Sequence, residues 1–250
     1  MNILACRGIS LMVCDMAGTV INEGGLVYKT LYNTLKNNSV PVKDTDINNW
    51  HGLQKAEVIS SMVNKYLSGP TLNPDSKTIK KLNQIKSHCY DEFEENLKEA
   101  YFGEHSKIKL IDPNLPNFFN RLRFNGVKIA LNTGYNRTIQ RDIINHLQME
   151  DYIDDFISSE DVKMGRPAPY MIHRLMERHD IMNVKYVAKV GDTRNDMLEG
   201  KNAGCGINIG VLTGVGNADD LSDADLVVDK ITNIDMIIED GFFSLKLSKI

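Results

Sequence analysis

Beyond residue 113 the sequence alternates between short apolar runs and amphipathic segments. Short apolar runs bounded by turn residues are typical of buried strands, and apolar residues three to four positions apart are typical of helices. Strands are predicted at residues 9–14, 127–133, 184–192 and 205–214 and near Val227, and helices at 115–126, 137–147, 170–180 and 196–204. Such alternation requires a parallel sheet whose right-handed crossovers place helices on both faces. The chain is therefore predicted to have an α/β fold built on a doubly wound parallel sheet.

A helical insert is predicted between the first strand and the rest of this pattern. From Leu26 to about Lys107 apolar residues recur at three-to-four spacing, and Asp75 or Ser76 is a candidate N-cap. We therefore predict a core formed by residues 1–25 and 108–250, into which residues 26–107 are inserted as an all-helical cap domain. Such a cap is expected to close over a substrate and exclude water.

Charge and composition exclude several classes of partner. The formal net charge is −4, so no basic surface for nucleic acid is expected. No stretch approaches the roughly 20 apolar residues of a membrane span, and the start MNILACRGIS makes a poor signal peptide. Cys6, Cys14, Cys89 and Cys205 have no paired spacing, which favours reduced thiols. We expect a cytoplasmic protein that binds neither nucleic acid nor membrane.

Acidic and hydroxyl side chains stand where predicted strands end. In a doubly wound sheet, ligands bind beyond the carboxyl ends of the strands. Asp15 directly follows the first strand, Thr133 ends another, and Asp192 ends a third, with Asp196 in the segment after it. A carboxylate held there can attack phosphorus, and Mg²⁺ is expected because carboxylate oxygens are its preferred ligands. The residues alone therefore predict a Mg²⁺-dependent phosphoryl-transfer hydrolase with Asp15 as nucleophile.

Two further features suit the oxygens of a phosphoryl group. Thr133 and the amides around Gly134 precede a helix, which favours anion binding, although Thr133 is also a candidate N-cap. Arg166 lies in a predicted loop and supplies a fixed cation for the charge that develops on the phosphoryl oxygens. Lys163 is the competing candidate for that role.

Four segments resemble, in order and spacing, the motifs of the haloacid dehalogenase superfamily of aspartate-nucleophile hydrolases: VCDMAGT, ALNTGYNR, GRPAP and KVGDTRNDMLEGKNAG. The helical insert also lies where that superfamily carries its cap. The resemblance implies that Thr133 and Arg166 hold the phosphoryl group while the carboxylate attacks. The Mg²⁺ ligands and supporting groups that it implies are Asp15, the Ala17 carbonyl, Asp192 and Asp196.

Ala17 separates this chain from most phosphatases of the superfamily, which carry at that position a second Asp that protonates the leaving alcohol. The segments DMAGT, TGY, GRPAPYM and GDTRNDM resemble its phosphonatase branch, in which a cap lysine forms a Schiff base with an aldehyde substrate. Lys55 in HGLQK has the spacing of that lysine. Val58 and Gly25 stand where the branch has histidine and cysteine. The segments EGGLVY and NTGY are closer to phosphonatase-like hydrolases of unknown substrate.

The predicted function is therefore cleavage of a small phosphonate such as phosphonoacetaldehyde through an aspartyl phosphate. Lys55 is expected to form the Schiff base, and the alternative is that it is a solvated surface charge. His51, Gly134 and Tyr135 are expected to contact the substrate. One alternative is a phosphomonoesterase acting on a small ester such as phosphoglycolate, although a missing general acid costs ~10²–10⁴ in rate. Another is a non-catalytic binding protein of the same fold. Because the branch often dimerises through its cap, a homodimer is expected by resemblance.

Overall fold

A computed structural model describes residues 3–4, 8–47, 50–69, 75–234, 236–239 and 242–246. The chain forms two compact units: a sheet unit made of Met1–Asn22 with Lys109–Ile250, and a helical unit, Glu23–Ile108. None of the described helices is long and apolar enough to cross a membrane. Cys6 lies outside the described residues, whereas Cys14, Cys89 and Cys205 are buried free thiols.

The described residues form eleven strands and eight α-helices. The strands are β1 (Ile3–Leu4), β2 (Leu11–Asp15), β3 (Ile21–Asn22), β4 (Lys109–Leu110), β5 (Lys128–Thr133), β6 (Asp155–Ser158), β7 (Val187–Gly191), β8 (Ile207–Val211), β9 (Leu226–Val228), β10 (Met236–Glu239) and β11 (Phe242–Lys246). The helices are α1 (Leu26–Asn37), α2 (Asp44–Ile47), α3 (Lys55–Leu67), α4 (Ser76–Phe102), α5 (Leu115–Phe124), α6 (Arg137–His146), α7 (Tyr170–Arg178) and α8 (Arg194–Ala203). The first four helices belong to the helical unit.

Six parallel strands form the central sheet in the order β6-β5-β2-β7-β8-β9. Strand β2 pairs with β5 on one side and with β7 on the other, so that the first strand of the pattern lies inside the sheet. Strands β2, β7 and β8 are buried along their whole length, as expected when both faces of a parallel sheet are covered. The predicted α/β fold with a doubly wound parallel sheet is confirmed.

One hydrophobic cluster joins the sheet to α7. The helix contributes Met171, Ile172 and Leu175, whose spacing of three to four residues places them on one face, and they pack with Leu11 and Val13 of β2. Each fully buried side chain of this kind stabilises the fold by ~1.5–3 kcal/mol. The cluster therefore fixes the helix, and with it the end of the loop that precedes it.

No strand is predicted from sequence at Asp155–Ser158, where β6 forms one edge of the central sheet. The segment DFIS begins with a charged residue, and only its last two residues are buried. It therefore offers neither a buried apolar run nor a clear alternation, and its pairing with β5 defines it as a strand. The predicted strand at 184–192 is also shorter than expected, because Val184–Tyr186 is a 3₁₀ turn.

The helical unit is built from amphipathic helices that each bury one face. Asp75, one of the two candidate caps, accepts a hydrogen bond at the start of α4. Glu23 accepts hydrogen bonds from the amides of Gly25 and Val27 at 3.0 and 2.9 Å, and from the Tyr101 hydroxyl at 3.1 Å. This carboxylate therefore joins the start of α1 to the end of α4.

Strands β3 and β4 are the segments at which the chain leaves and re-enters the sheet unit. They pair with each other in antiparallel fashion, with Ile21 opposite Leu110 and Asn22 opposite Lys109. The amide of Ile111 extends the ladder by donating to the Val20 carbonyl at 2.9 Å. The two connections are therefore held side by side by backbone hydrogen bonds.

Asp112, just after β4, is tied to the far end of the chain. Its Oδ2 lies 2.7 Å from Lys230 Nζ and accepts from Thr232 Oγ1 at 2.6 Å, and its Oδ1 accepts from the Asn114 amide at 2.8 Å. Lys230 and these hydrogen bonds lower the pKa of Asp112 to about 2. The pKa in the unfolded chain is about 4. The stabilising contribution of this carboxylate is therefore fully present above pH ~4 and is lost as the pH falls towards ~2.

Replacing Asp112 by Asn is expected to remove that pH-dependent contribution. Between pH 5 and pH 2.5 the free energy of unfolding should fall less steeply in Asp112→Asn than in the wild type, because no carboxylate remains to be protonated. Urea denaturation across this range measures the difference. Asp219→Asn, at an exposed position, is the control, and equal slopes for wild type and Asp112→Asn would contradict the prediction.

Candidate active site

The carboxyl ends of three neighbouring strands bring the candidate residues together. Strand β2 ends at Asp15, β5 ends at Thr133, and β7 ends at Gly191, next to Asp192. The register places Asp15 opposite Asn132 on the adjacent strand. Asp15 is only 5% exposed, and Thr133 and Asp192 are also buried. This is the edge of a doubly wound sheet at which ligands bind.

The turn after Asp15 depends on Gly18. Its φ of 82° lies in the left-handed region that glycine adopts without strain, and its amide donates to the Ile21 carbonyl at 2.8 Å. A methyl group at Gly18 would also lie 2.7 Å from Asp192 Oδ2. Ala17 is half-buried in the same turn. The turn therefore approaches Asp192 closely and carries a methyl group two residues after Asp15.

Three buried carboxylates form the candidate metal centre. One oxygen each of Asp15, Asp192 and Asp196 lies within 4.8 Å of the others. Asp196 is held in the first turn of α8 by a reciprocal capping box with Thr193. Asp192 accepts a hydrogen bond from the Val215 amide at 2.9 Å. The structure thus brings together the three predicted metal-binding side chains.

Arg166 links two of these carboxylates. Its Nη2 lies 2.5 Å from Asp15 Oδ1, and its Nη1 lies 2.7 Å from Asp196 Oδ1. Nη2 also donates to the Asn132 carbonyl at 3.0 Å. The Arg166 side chain is 1% exposed, whereas Lys163 is exposed. Of the two candidate cations, the structure brings Arg166 to Asp15.

A second set of buried polar residues contacts Asp196 and Arg166 and was not predicted from the sequence. Lys189 Nζ lies 2.9 Å from Asp196 Oδ1, 3.1 Å from Glu199 Oε2 and 2.8 Å from Asn132 Oδ1. Asn132 Nδ2 donates to both oxygens of Glu199 at 3.0 and 2.9 Å. Two signals were present: a lysine inside the apolar run VAKVG, and a glutamate one helical turn after Asp196.

The buried cluster is electrostatically unbalanced. It contains four carboxylates and two cations, namely Asp15, Asp192, Asp196 and Glu199 with Arg166 and Lys189. Burial, together with the two nearby carboxylates, raises the pKa of Asp192 well above its ordinary value. Burial also raises the pKa of Asp15, against the opposing effect of Arg166. When all these groups are ionised, the excess negative charge of the cluster equals in magnitude the positive charge of one divalent cation. The oxygen donors and this charge therefore fit Mg²⁺.

Asp196 differs from the other two carboxylates. Burial acts to raise its pKa, but Arg166 and Lys189 outweigh burial and lower it. Its Oδ1 contacts both cations, and its Oδ2 accepts from the hydroxyl and amide of Thr193 at 2.5 and 3.2 Å. These contacts favour a role in holding Arg166 and the start of α8 over a place among the first metal ligands.

Thr133 does not serve as the cap of α6. Its Oγ1 accepts from the Tyr135 amide at 3.2 Å, whereas the N-cap is Asn136, whose side chain accepts from the Ile139 amide at 2.7 Å. The alternative that Thr133 is only an N-cap is therefore wrong. Thr133, Gly134 and Tyr135 are all buried, at the carboxyl end of β5.

Lys55 lies in the helical unit, at the first position of α3. It is only 6% exposed, so it is not a solvated surface charge. Its Nζ donates to the Leu53 carbonyl at 2.8 Å and lies 5.2 Å from the centre of the Tyr28 ring. The His51 ring contacts the same Tyr28 ring edge to face, with centroids 4.7 Å apart. Lys55 and His51 are therefore brought together around Tyr28, which the sequence did not single out.

A methyl group at Gly214 is expected to disturb Asp192, because it would overlap the carboxylate. Gly214→Ala should weaken Mg²⁺ binding about 10–100-fold, the equivalent of the ~1–3 kcal/mol that overpacking costs. Titration calorimetry with Mg²⁺ measures this loss. Gly210→Ala is the matched control, since the nearest atoms to its methyl group would be those of the Leu221 side chain, from 3.1 Å, and not those of Asp192. Equal losses in both variants would contradict the prediction.

Comparison with a family model extends over most of the chain. A model described as haloacid dehalogenase-like hydrolase matches residues 12–209. Phosphonoacetaldehyde hydrolase of Bacillus cytotoxicus is 26% identical over 216 residues, which cover 82% of this chain and 76% of that protein. Phosphonoacetaldehyde hydrolase of Parabacteroides distasonis is 29% identical over 213 residues, which cover 83% of this chain and 78% of that protein.

Solved structures share the fold. A phosphonoacetaldehyde hydrolase-like protein from Oleispira antarctica superposes with a TM-score of 0.69 at 20% identity, covering 93% of this chain and 92% of that one. A protein described as a predicted phosphoglycolate phosphatase, from Haemophilus somnus, has a TM-score of 0.69 at 18% identity. The superposition covers 90% of this chain and 96% of that one. At these identities the similarity shows the architecture and not the substrate.

Proposed function

Because this chain belongs to the haloacid dehalogenase-like hydrolases, we propose that it is a Mg²⁺-dependent phosphonatase-type enzyme acting on a small phosphonate aldehyde such as phosphonoacetaldehyde. The observation that carries the proposal is the burial of Lys55 in a chain that has Ala17, instead of an acid, two residues after Asp15, the proposed nucleophile. A buried lysine can form an imine with an aldehyde. Cleavage of a carbon–phosphorus bond next to that imine needs no proton from the missing acid. The relatives named phosphonoacetaldehyde hydrolase support this substrate class.

The first step joins the substrate to Lys55. The neutral amine adds to the aldehyde carbon, a carbon–nitrogen bond forms, and the carbonyl oxygen leaves as water. The product is a protonated imine that carries one positive charge on nitrogen. Burial of Lys55 limits the access of water that would reverse this step. His51, in contact with the same tyrosine ring as Lys55, is the candidate carrier of the protons.

The second step transfers the phosphoryl group to Asp15. A carboxylate oxygen attacks phosphorus as the phosphorus–carbon bond breaks, and the bonding electrons form the double bond of an enamine while the imine nitrogen loses its charge. Arg166, ion-paired with Asp15 Oδ1, is oriented to stabilise the phosphoryl oxygens. Thr133, buried at the end of the adjacent strand, is the proposed second contact to those oxygens.

Two hydrolytic steps restore the enzyme. Water attacks the aspartyl phosphate, which releases inorganic phosphate and the Asp15 carboxylate. The enamine takes up a proton, and water then hydrolyses the resulting imine to release acetaldehyde and the free amine of Lys55. The water consumed there balances the water lost in the first step. The net reaction converts phosphonoacetaldehyde and one water into acetaldehyde and phosphate.

Asp15, Asp192 and the Ala17 carbonyl are the groups that would hold Mg²⁺, with Asp196 supporting them. The proximity of the carboxylate oxygens and the excess negative charge of the cluster support this assignment. When bound, the ion supplies positive charge that offsets the repulsion between carboxylates and an anionic phosphoryl group. Arg166 and Lys189 form ion pairs with Asp196, which hold its carboxylate in position.

A phosphomonoesterase is the second candidate, and two positions favour it. Val58, which stands where the phosphonatase branch has histidine, is a core residue that is 2% exposed. Gly25, which stands where the branch has cysteine, has a φ of 73°, a conformation that a cysteine side chain disfavours. Both departures lie close in sequence to residues of the proposed imine-forming group. In this case His51 is the candidate acid for the leaving alcohol.

Phosphate release from phosphonoacetaldehyde, compared with release from a panel of small phosphate esters, tests the proposal. Each substrate is assayed with Mg²⁺ and after chelation. We expect Mg²⁺-dependent release with a kcat/KM for phosphonoacetaldehyde that exceeds every ester. A higher value for an ester such as phosphoglycolate would favour the phosphomonoesterase. If no substrate released phosphate and beryllofluoride did not bind, the chain would instead be a binding protein of this family.

A further inference from the structure

We propose that Tyr28 is a positioning residue whose aromatic face stabilises the positive charge on the Lys55 nitrogen in the protonated imine. This inference rests on the proposed function, because it assigns a role to a residue that acts through Lys55. It concerns contacts within the helical unit only.

The Tyr28 side chain joins two separate parts of the helical unit. It extends from α1, and its ring faces Lys55 Nζ at 5.2 Å from the centroid, within the ~6 Å over which a cation is attracted to an aromatic face. Its hydroxyl accepts a hydrogen bond from the Gly52 amide at 3.2 Å. The ring also contacts His51, with an interplanar angle of 62°. One side chain thus holds the HGLQK loop and the lysine that ends it.

The surroundings of Lys55 make the ring contact important. The lysine is buried, so water contributes little to stabilising its charge. The Leu53 carbonyl accepts one N–H from Nζ at 2.8 Å. An ammonium ion has three N–H donors, whereas a protonated imine has one, which this carbonyl can take. The charge that remains on the imine is spread over carbon and nitrogen, and a ring face suits such a planar cation.

A ring stabilises this charge without removing a proton. A carboxylate at the same distance would form an ion pair and accept a proton from the nitrogen, whereas the ring of Tyr28 is not a base. It therefore favours the protonated imine, the form that accepts electrons when the phosphorus–carbon bond breaks. Removing the ring is expected to lower the fraction of imine that is protonated and so to slow the chemical step, and to change substrate binding much less.

The same helix contains a matched control. Lys36 lies over the ring of Tyr32, with Nζ 5.3 Å from the centroid, and this lysine is exposed. The geometry of the two contacts is similar, but only Lys55 is buried. Tyr32→Leu therefore removes an equivalent contact from α1 without touching the lysine of the proposed reaction.

The test changes the charge distribution of the ring while keeping its shape. Tyr28→Phe, and phenylalanines carrying one, two or three fluorines at position 28, retain the ring and progressively weaken its negative face. With phosphonoacetaldehyde as probe, the rate of borohydride trapping on Lys55 and kcat should fall stepwise along the series, by about 3–30-fold in total. KM should change less than kcat, and Tyr32→Leu should match the wild type.

The outcomes separate this inference from the proposed function. If the wild type forms the adduct and releases phosphate, but the fluorinated series stays within twofold of Tyr28→Phe, the role of the ring face is wrong and the proposed function stands. If the wild type forms no adduct and does not release phosphate from the phosphonate, both are wrong. Tyr28→Leu removes the ring altogether. A loss of kcat in this variant without a trend along the fluorinated series would also overturn the inference, because it would show only a packing role.

Discussion

Replacing Asp15 by Asn is expected to lower phosphate release by on the order of 10⁴–10⁶-fold, because the proposed nucleophile is removed. Asparagine has nearly the same shape and keeps an oxygen that can accept from Arg166, which lies 2.5 Å from Asp15 Oδ1. Burial raises the pKa of this carboxylate, so the ionised form is held at a cost in the folded state. The free energy of unfolding should therefore stay close to that of the wild type.

Two measurements check this result. Steady-state phosphate release gives the loss in rate, and acid quenching during turnover should trap a phosphoprotein in the wild type and none in Asp15→Asn. Asp223→Asn is the control, since Asp223 forms an exposed ion pair with Lys201 at 2.7 Å. Residual activity above about 1% in a correctly folded Asp15→Asn protein would argue against a covalent mechanism at this residue.

Replacing Lys55 by Met is expected to reduce cleavage of phosphonoacetaldehyde by on the order of 10³-fold or more, because the proposed imine can no longer form. Hydrolysis of any phosphate ester that the enzyme accepts needs no imine and should change far less. Methionine fills a similar buried volume and removes a charge that is only 6% exposed, so the helical unit should remain folded. The ratio of phosphonate to ester activity is the quantity to measure.

Controls for Lys55 come from the same chain. Lys36→Met removes an exposed lysine that also contacts a tyrosine ring and should leave both activities unchanged. Borohydride in the presence of substrate should inactivate the wild type and label Lys55. Full phosphonatase activity in Lys55→Arg would show that the Schiff-base step is wrong, since a guanidinium does not form this imine.

Much of the sheet was predictable because buried parallel strands are apolar along their length. The segments VKIALNT and VKYVAKVGD stood out for this reason, and the strands found there are β5 and β7. Strand β6 was missed because DFIS is short, begins with a charge and lies at the sheet edge. Its identity as a strand comes from pairing with a distant segment, which local pattern does not report.

The grouping of the site was predictable only where topology determines it. Asp15 and Thr133 end neighbouring strands of a parallel sheet and Asp192 directly follows a third, so the fold alone brings them to one edge. Lys189 was missed because its partners Asp196 and Glu199 lie on α8, and only the packing of that helix against β7 shows that the buried lysine is paired. Tyr28 was missed because an aromatic residue at helical spacing is more often part of a core.

Because β3 pairs with β4, the helical unit is an insertion whose two ends lie side by side and which could be deleted or exchanged as one segment. Asn22 and Lys109 lie opposite each other in the ribbon, a separation that a hairpin turn of about two residues can bridge. A gene that lost or exchanged the codons for Glu23–Ile108 would therefore leave the backbone of the sheet continuous. Because Lys55, the proposed imine-forming residue, lies in the helical unit, such an exchange would change the proposed substrate chemistry, while the carboxylates and Arg166 would stay in the sheet unit.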